Sequence, residues 1–186
     1  TMSIIKSLKK VRNELLRKIK YRKYSIGPGF SSGIRVRLWA KRKLVIGRNF
    51  YIGRDALVET DAIIGDNVML GNRVAVIGKY DHNFQQVGTP IRHAVQMRDT
   101  DYDWKGSSLI TIIENDVMVG HGSTIYGGVK IGEGSIVAAT SLVTKDIEPY
   151  SIYAGSPAKK IKCRFDTKED LHKHLELVQS KYFGIL

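Results

Sequence analysis

The sequence predicts a mostly β chain: a parallel β-helix of three-sided coils, with an amphipathic helix before it and another after it. Two observations carry the coil and a third places the helices. First, an apolar residue recurs at every sixth position, from Ile34 through Ala40, Ile46, Ile52, Val58, Ile64 and Leu70 to Val76, and again from Ile113 through Val119, Ile125, Ile131 and Val137 to Val143. In a chain that is 42% hydrophobic, fourteen such hits have a chance probability on the order of 10⁻⁵. Second, the next position is often small (Gly47, Gly53, Gly65, Gly71, Gly120, Gly132, Ala138), and the fourth is often small or β-branched (Ala56, Ala62, Val68, Val74, Val117, Ser123, Val129, Ser135, Ser141). A period of six matches neither 3.6 nor 2; it matches a chain that turns a corner after each short stroke, three strokes to a coil. Third, helical spacing of apolar residues is confined to the two ends of the chain.

Each element follows in order. Residues 2–23 read as a basic amphipathic helix, with Ile4, Leu8, Val11, Leu15 and Ile19 on one face. Between Lys6 and Lys23 stand nine basic residues and one acid, Glu14. Such a helix either lies on an anionic membrane surface or docks its stripe on protein, with solvated lysines. Residues 24–162 hold the repeat, whose repeated residue is expected to point inward and whose glycines are expected to supply the corner angles. The phase breaks at an insertion, residues 78–112, and an insertion of that length is usually functional. Residues 163–186 read as a helix capped by Asp166 or Thr167, with Leu171, Leu175, Val178 and Tyr182 on its apolar face, expected to cover an open end of the coil.

Composition sets the outer bounds. A chain of 186 residues buries a core without staples. The single cysteine, Cys163, leaves no intramolecular disulfide or Cys-built zinc site and fits a reducing, cytoplasmic setting. No apolar run approaches the ~20 residues of a bilayer span, and no secretory signal follows the basic start. Thr1 ahead of Met2 is expected to be a cloning remnant. The net charge of +12 suggests nucleic acid, but no nucleic-acid-binding motif is present, so nucleic acid is not expected as a partner.

Several strings make the chain resemble the hexapeptide-repeat acyltransferases: IGDNV (residues 64–68), ENDVMVGHGSTI (114–125), GGVKIGEGSIV (127–137), SLVTKDI (141–147) and YAGSPAK (153–159). The order and spacing of the last four are specific, and the likeness is greatest to the maltose, galactoside and polysaccharide O-acetyltransferase branch. The resemblance implies a left-handed β-helix, a homotrimer with sites between subunits, acetyl-CoA as donor and no metal in the chemistry.

Acetyl transfer needs a base for the acceptor hydroxyl, donors for the oxyanion and a hold on the donor. Histidine suits the first task. Of five histidines, His172 and His174 fall on the C-terminal helix and are expected at its surface. His82, at the mouth of the insertion in KYDHNF, resembles the family's catalytic histidine; His93 is the competing base. Asp81, its chain neighbour, is not assigned as an orienting group. The resemblance puts the oxyanion-binding backbone N–H on His121, after Gly120, where the family often has a small residue. It puts the pantetheine arm along Gly120, His121 and Ala139. Thr144, Lys145, Lys159 and Lys162 match positions near the nucleotide and phosphates of CoA, three cations expected at one end of the coil. For the acceptor, Tyr80, Asp81, Asn83, Phe84 and Trp104, with Tyr102, Asp99, Asp101 and Asp103, offer ring faces and carboxylates that suit a sugar.

The same fold hosts other functions. An amino-sugar N-acetyltransferase is the nearest enzyme rival, and a non-enzymatic scaffold or binding module the other. A zinc-dependent carbonic anhydrase lacks its close histidine pair here, a nucleotidyltransferase needs a further domain, and a serine acetyltransferase has a larger helical start. The basic helix points to envelope or exopolysaccharide precursors at the inner face of a membrane.

Overall fold

The computed structural model describes residues 2–182, with side chains for residues 7–178, 181 and 182. The readings placed on Thr1, on the Ile4 side chain and on residues 183–186 lie outside the described residues. Five complete coils stack among the described residues. Coil one is β1 (Ser25–Ile26), β2 (Ser31–Ser32) and β3 (Arg37–Trp39); coil two is β4 (Leu44–Ile46), β5 (Tyr51–Ile52) and β6 (Leu57–Glu59). Coil three is β7 (Ala62–Ile64), β8 (Met69–Leu70) and β9 (Ala75–Ile77); coil four is β10 (Thr111–Ile113), β11 (Met118–Val119) and β12 (Thr124–Tyr126). Coil five is β13 (Lys130–Ile131), β14 (Ile136–Val137) and β15 (Leu142–Val143). The strands stack into three parallel sheets: face I (β1, β4, β7, β10, β13), face II (β2, β5, β8, β11, β14) and face III (β3, β6, β9, β12, β15). A sixth coil begins with β16 (Ser151–Ala154) on face II, and β17 (Lys159–Cys163) turns back antiparallel against it.

The period of six follows from what each coil buries. Two residues in six point inward: Ile46, Ile52, Val58, Ile64, Leu70, Val76, Ile113, Val119, Ile125, Ile131, Val137 and Val143 in one set, and Ala56, Ala62, Val68, Val74, Val117 and Val129 in the other. Each stacks on its equivalent one coil away, burying its apolar surface on both sides. In the last coils the second set turns to serine, and each hydroxyl finds a carbonyl: Ser123 Oγ and Ser141 Oγ donate to Ala138 O (2.9 and 2.7 Å), and Ser135 Oγ to Glu148 O (2.6 Å). The buried serines therefore carry no unpaired polar group.

Two local expectations are corrected. Ile34 is half exposed, because coil one is two residues longer than the rest: Ser25 pairs with Val45, whereas Leu44 pairs with Ala62. The inward residues of coil one are Ile26, Ser32 and Leu38. Nor do the repeated glycines supply corner angles. Positive φ falls two residues later, at Asn49, Asp55, Asn67, Arg73, Asp116, Gly122, Gly134 and Thr140. The glycines answer a different constraint, close approach: a Cβ on Gly53 would sit 2.5 Å from Asn72 N, and one on Gly120 would sit 2.5 Å from Ala139 N.

The helical ends also differ from expectation. Helix α1 (Met2–Leu15) continues as a π-helical turn, Leu16–Lys20. It seats Asn13, Leu16 and Tyr21 against coil one, with Arg12 Nη2 donating to Ser32 O, Arg17 Nη1 to Ile26 O and Tyr21 OH to Val36 O. The predicted stripe is not the docked face: Leu8, Val11, Leu15 and Ile19 are 53–65% exposed. Helix α2 (Lys168–Tyr182) is capped as expected, Thr167 Oγ1 accepting the Asp170 N–H (3.0 Å). It does not plug an end. His174, Val178 and Tyr182 lie beside Asn67 and Asp116, at the edge between faces I and II. His174, expected at the surface, is mostly covered there, with Nε2 3.4 Å from the Asp116 carboxylate, which Arg164 also meets at 2.6 Å. Among the described residues, no helix is long and apolar enough to cross a membrane.

Candidate active site

The insertion leaves face III after Ile77, as expected, and rejoins face I at Thr111, two residues before the expected end of the loop: Ala62 pairs directly with Thr111. It is a folded lobe. The chain goes out through residues 80–84 and returns alongside, with a bridge between His82 and Gln96, Asn83 N–H donating to Val95 O (2.8 Å) and Met97 N–H to Asp81 O (2.8 Å). Ala94, Met97 and Tyr102 are its buried centre. The Tyr102 hydroxyl lies 2.7 Å from Tyr80 O and 2.8 Å from Lys105 O; burial first, and Asp81 second, push its acidity below that of an ordinary phenol. The lobe is pinned to the coils by Lys41, which donates to Asp99 O (2.7 Å), and by Arg98, which covers the Trp39 ring and meets Glu59 at 3.4 Å.

His82 is therefore held at the neck of a structured loop, at the edge between faces III and I. Its Nδ1 lies 3.0 Å from Asp81 Oδ2, so Asp81 does meet the ring, against the expectation that a chain neighbour would turn away. With Nδ1 facing a carboxylate, Nε2 is the nitrogen left for chemistry. Of the proposed acceptor residues, Trp104 packs edge-on between Tyr80 (5.7 Å) and Phe84 (4.7 Å), and Phe84 remains more than half exposed. Asn83 Oδ1 is occupied by the Gln85 N–H (3.1 Å). His93 ends a short 3₁₀ turn, Ile91–His93, on the exposed side of the lobe.

The donor-side residues lie on other edges. Gly120, His121 and Ala139 sit where face II turns into face III, whereas Thr144 and Lys145 sit where face III turns into face I. Lys159 opens β17 beside Ala154, and Lys162 pairs with Asp166 at 3.3 Å. The three cations share the C-terminal end of the coil but lie on different edges. Sequence reasoning missed how the edges are sealed. At the I/II edge the N–H after each glycine meets a side chain of an adjacent coil: Arg48 N donates to Asp66 Oδ1 (2.6 Å), Asp66 N to Asn115 Oδ1 (2.8 Å) and Glu133 N to Glu114 Oε2 (2.8 Å). At the II/III edge Arg54 N donates to Asn72 Oδ1 (2.8 Å), and there the sealing stops. The N–H groups of Asn72, His121 and Ala139 have no acceptor among the described residues, though their carbonyls are used. Three successive coils thus present backbone donors at one edge. The signal was in the sequence: Asp66, Asn72 and Asn115 stand one coil onward from Gly47, Gly53 and Gly65, whereas His121 and Ala139 stand one coil onward from Gly71 and Gly120.

Comparison with known proteins agrees with this architecture. Residues 110–145 match the family model for the bacterial transferase hexapeptide, six repeats. A chloramphenicol acetyltransferase of Klebsiella aerogenes is 51% identical over 67 residues, 36% of this chain and 31% of that protein. This chain thus matches about a third of the length of such curated relatives. Among solved structures, a maltose O-acetyltransferase from Clostridium difficile 630 superposes with a TM-score of 0.61 at 24% identity, over 87% of this chain and 84% of that one. A hexapeptide-repeat-containing acetyltransferase from Vibrio cholerae, complexed with acetyl coenzyme A, superposes with a TM-score of 0.60 at 22% identity, over 82% and 79%. The repeat and the fold together resemble those of the hexapeptide-repeat acetyltransferases.

Proposed function

We propose that the protein transfers an acetyl group from acetyl-CoA to a hydroxyl of a sugar or polysaccharide precursor, with His82 as general base. The observation that carries this reading is the row of open backbone donors at the II/III edge. Such donors suit the amide-rich arm of CoA and the oxyanion formed on its thioester. The edge that holds His82 is one face away, on the order of 15–20 Å for six near-extended residues. No hydrogen bond or ion pair among the described residues joins the insertion to the II/III edge. A site that needs both is completed between copies, so we assign the working form as a homotrimer. Tyr51, Met69 and Met118, an exposed apolar ladder on face II, support a contact that brings the II/III edge to a neighbour.

The chemistry balances with few groups. His82 Nε2 takes the proton of the acceptor hydroxyl as its oxygen bonds to the thioester carbon. The oxyanion is met by the His121 N–H. Collapse breaks the C–S bond, and the proton on His82 passes to the departing thiolate, giving ester and free CoA. Asp81 holds the ring and stabilises its charged form. Lys145, Lys159 and Lys162 are the cations for the phosphates of CoA, and the Tyr80, Phe84 and Trp104 rings, with Asp81 and Asn83, are the walls for the sugar.

The test is release of free CoA against a panel of sugars, amino sugars, nucleotide-sugars and serine. Thiol release with a hydroxylated sugar is expected; release with amines alone would make the protein an N-acetyltransferase, and none with any acceptor would end the catalytic reading. His82→Ala lowers kcat by about 10²–10⁴-fold, with the KM for acetyl-CoA little changed; full turnover would remove the assignment.

A further inference from the structure

Helix α1 has two faces, and the fold uses only one. Asn13, Leu16 and Tyr21 pack on coil one, and Arg12 and Arg17 bond to its carbonyls. Leu8, Val11, Leu15 and Ile19 stand on the other side, 64%, 57%, 53% and 65% exposed. Val11, Leu15 and Ile19, with Lys10, Glu14 and Lys18, line one shallow apolar groove. Lys10 and Lys18 flank the stripe, and Lys9, Lys20, Arg22 and Lys23 on the same segment are also exposed. The one acid, Glu14, is engaged by Arg17 at 2.7 Å.

We infer that this stripe is a docking surface for an anionic phospholipid bilayer, in which the four aliphatic side chains enter the interfacial layer and the flanking cations meet lipid phosphates. Charge decides among the occupants. A second copy laid stripe to stripe would bring two dense cationic surfaces together with no free acid between them. A nucleic acid would use the cations but gain nothing from four aliphatic side chains at the centre of the patch. An anionic bilayer uses both: apolar area is buried in the interface, and each basic residue gains from the surface potential. The helix lies at the end of the column, so docking leaves all three faces free. In the trimer proposed above, three such helices would share one end and add their affinities.

The experiment is co-sedimentation of the full chain with phosphatidylcholine vesicles, with and without phosphatidylglycerol, for the wild type and for Leu15→Glu combined with Ile19→Glu. Both positions are solvent-facing, so the double variant is expected to melt like the wild type and to keep its CoA-release rate on soluble acceptors. Binding to the anionic vesicles is expected to exceed binding to neutral ones by at least tenfold, to weaken with salt and to fall at least tenfold in the variant. Equal binding to neutral vesicles, or undiminished binding by the variant, would overturn the inference. So would a lower oligomer mass for the variant, which would make a second copy the occupant, or tighter retention of the wild type by single-stranded RNA than by the vesicles. None of these results depends on whether His82 is the base.

Discussion

At the I/II edge the N–H of Arg48 ends on the Asp66 carboxylate and that of Asp66 on the Asn115 amide oxygen, whereas at the II/III edge the N–H groups of Asn72, His121 and Ala139 meet no acceptor. Both edges are made by one repeat, with Gly followed two residues later by a left-handed corner. What separates them is a single side chain per coil. Where the coil above offers Asn or Asp, as Asp66, Asn72 and Asn115 do, the N–H is closed; where it offers His121, Ala139 or, at the I/II edge, Glu133, the N–H of Asn72, His121 or Asn115 meets no acceptor among the described residues. On the proposed reading, the working edge of this stack is the one where successive coils omit the structural side chain.

The largest effect should come from making the same substitution on both edges. Pro28 and Pro149 already occupy the position two after an inward residue (Ile26 and Ile147), as His121 does after Val119, each followed by a residue of positive φ. The corner therefore accepts proline, and His121→Pro removes one N–H with little strain. It should lower kcat by about 10²–10³-fold, while His121→Ala, which keeps the N–H, stays near the wild-type rate. Arg48→Pro on the closed edge should leave the rate alone and cost about 1–2 kcal/mol of stability through the lost bond to Asp66. Equal kinetic effects at the two edges would erase the distinction between them.

The comparison sharpens if the two halves of the site belong to different subunits. Mixing His82→Ala with His121→Pro subunits should restore activity, because one of the three sites in every mixed trimer has both wild-type groups. Random assembly makes three quarters of trimers mixed, so about a quarter of wild-type turnover is expected. No recovery after exchange of subunits would place both groups within one chain.

Smaller effects test the stack itself. Gly53→Ala forces a Cβ to within 2.5 Å of Asn72 N on the sealed rung of the open edge, and an overpacked backbone contact should cost about 1–3 kcal/mol. Urea unfolding measures it, and a neutral result would mean that the coils can spread. Smallest is Glu114→Gln on the closed edge. Lys130, 2.7 Å away, holds the Glu114 carboxyl below its ordinary value. The pair therefore stabilises the fold above the ordinary glutamate range and loses that contribution as pH falls through the lowered value. The variant should be less stable near neutrality, by under about 1 kcal/mol for so exposed a pair, with the gap closing in acid. A gap that widens in acid would reverse the sign of the argument.

Much of the column was legible because its interior is one residue type at one spacing: from Ile46 to Val143 each residue of the six-residue series is buried. Ile34 misled because two extra residues in coil one shift the phase without breaking the apolar pattern. The glycines were legible as necessary but not as to why, since a clash with Asn72 or Ala139 arises one coil onward rather than locally. The contact between Asp81 and His82 depends on how the returning strand at Gln96 and Met97 turns the backbone, which no local pattern records. The seat of α2 depends on Asp116 meeting both Arg164 and His174, partners nearly fifty residues or more away in the chain.

The lobe between Ile77 and Thr111 leaves and rejoins the stack in step, Ala62 lying directly against Thr111 across the gap. No coil above or below needs to adjust to its length or content. On the proposed reading, exchange of this one excursion would replace the acceptor walls and the base His82 together, while the backbone donors of the II/III edge stayed in place.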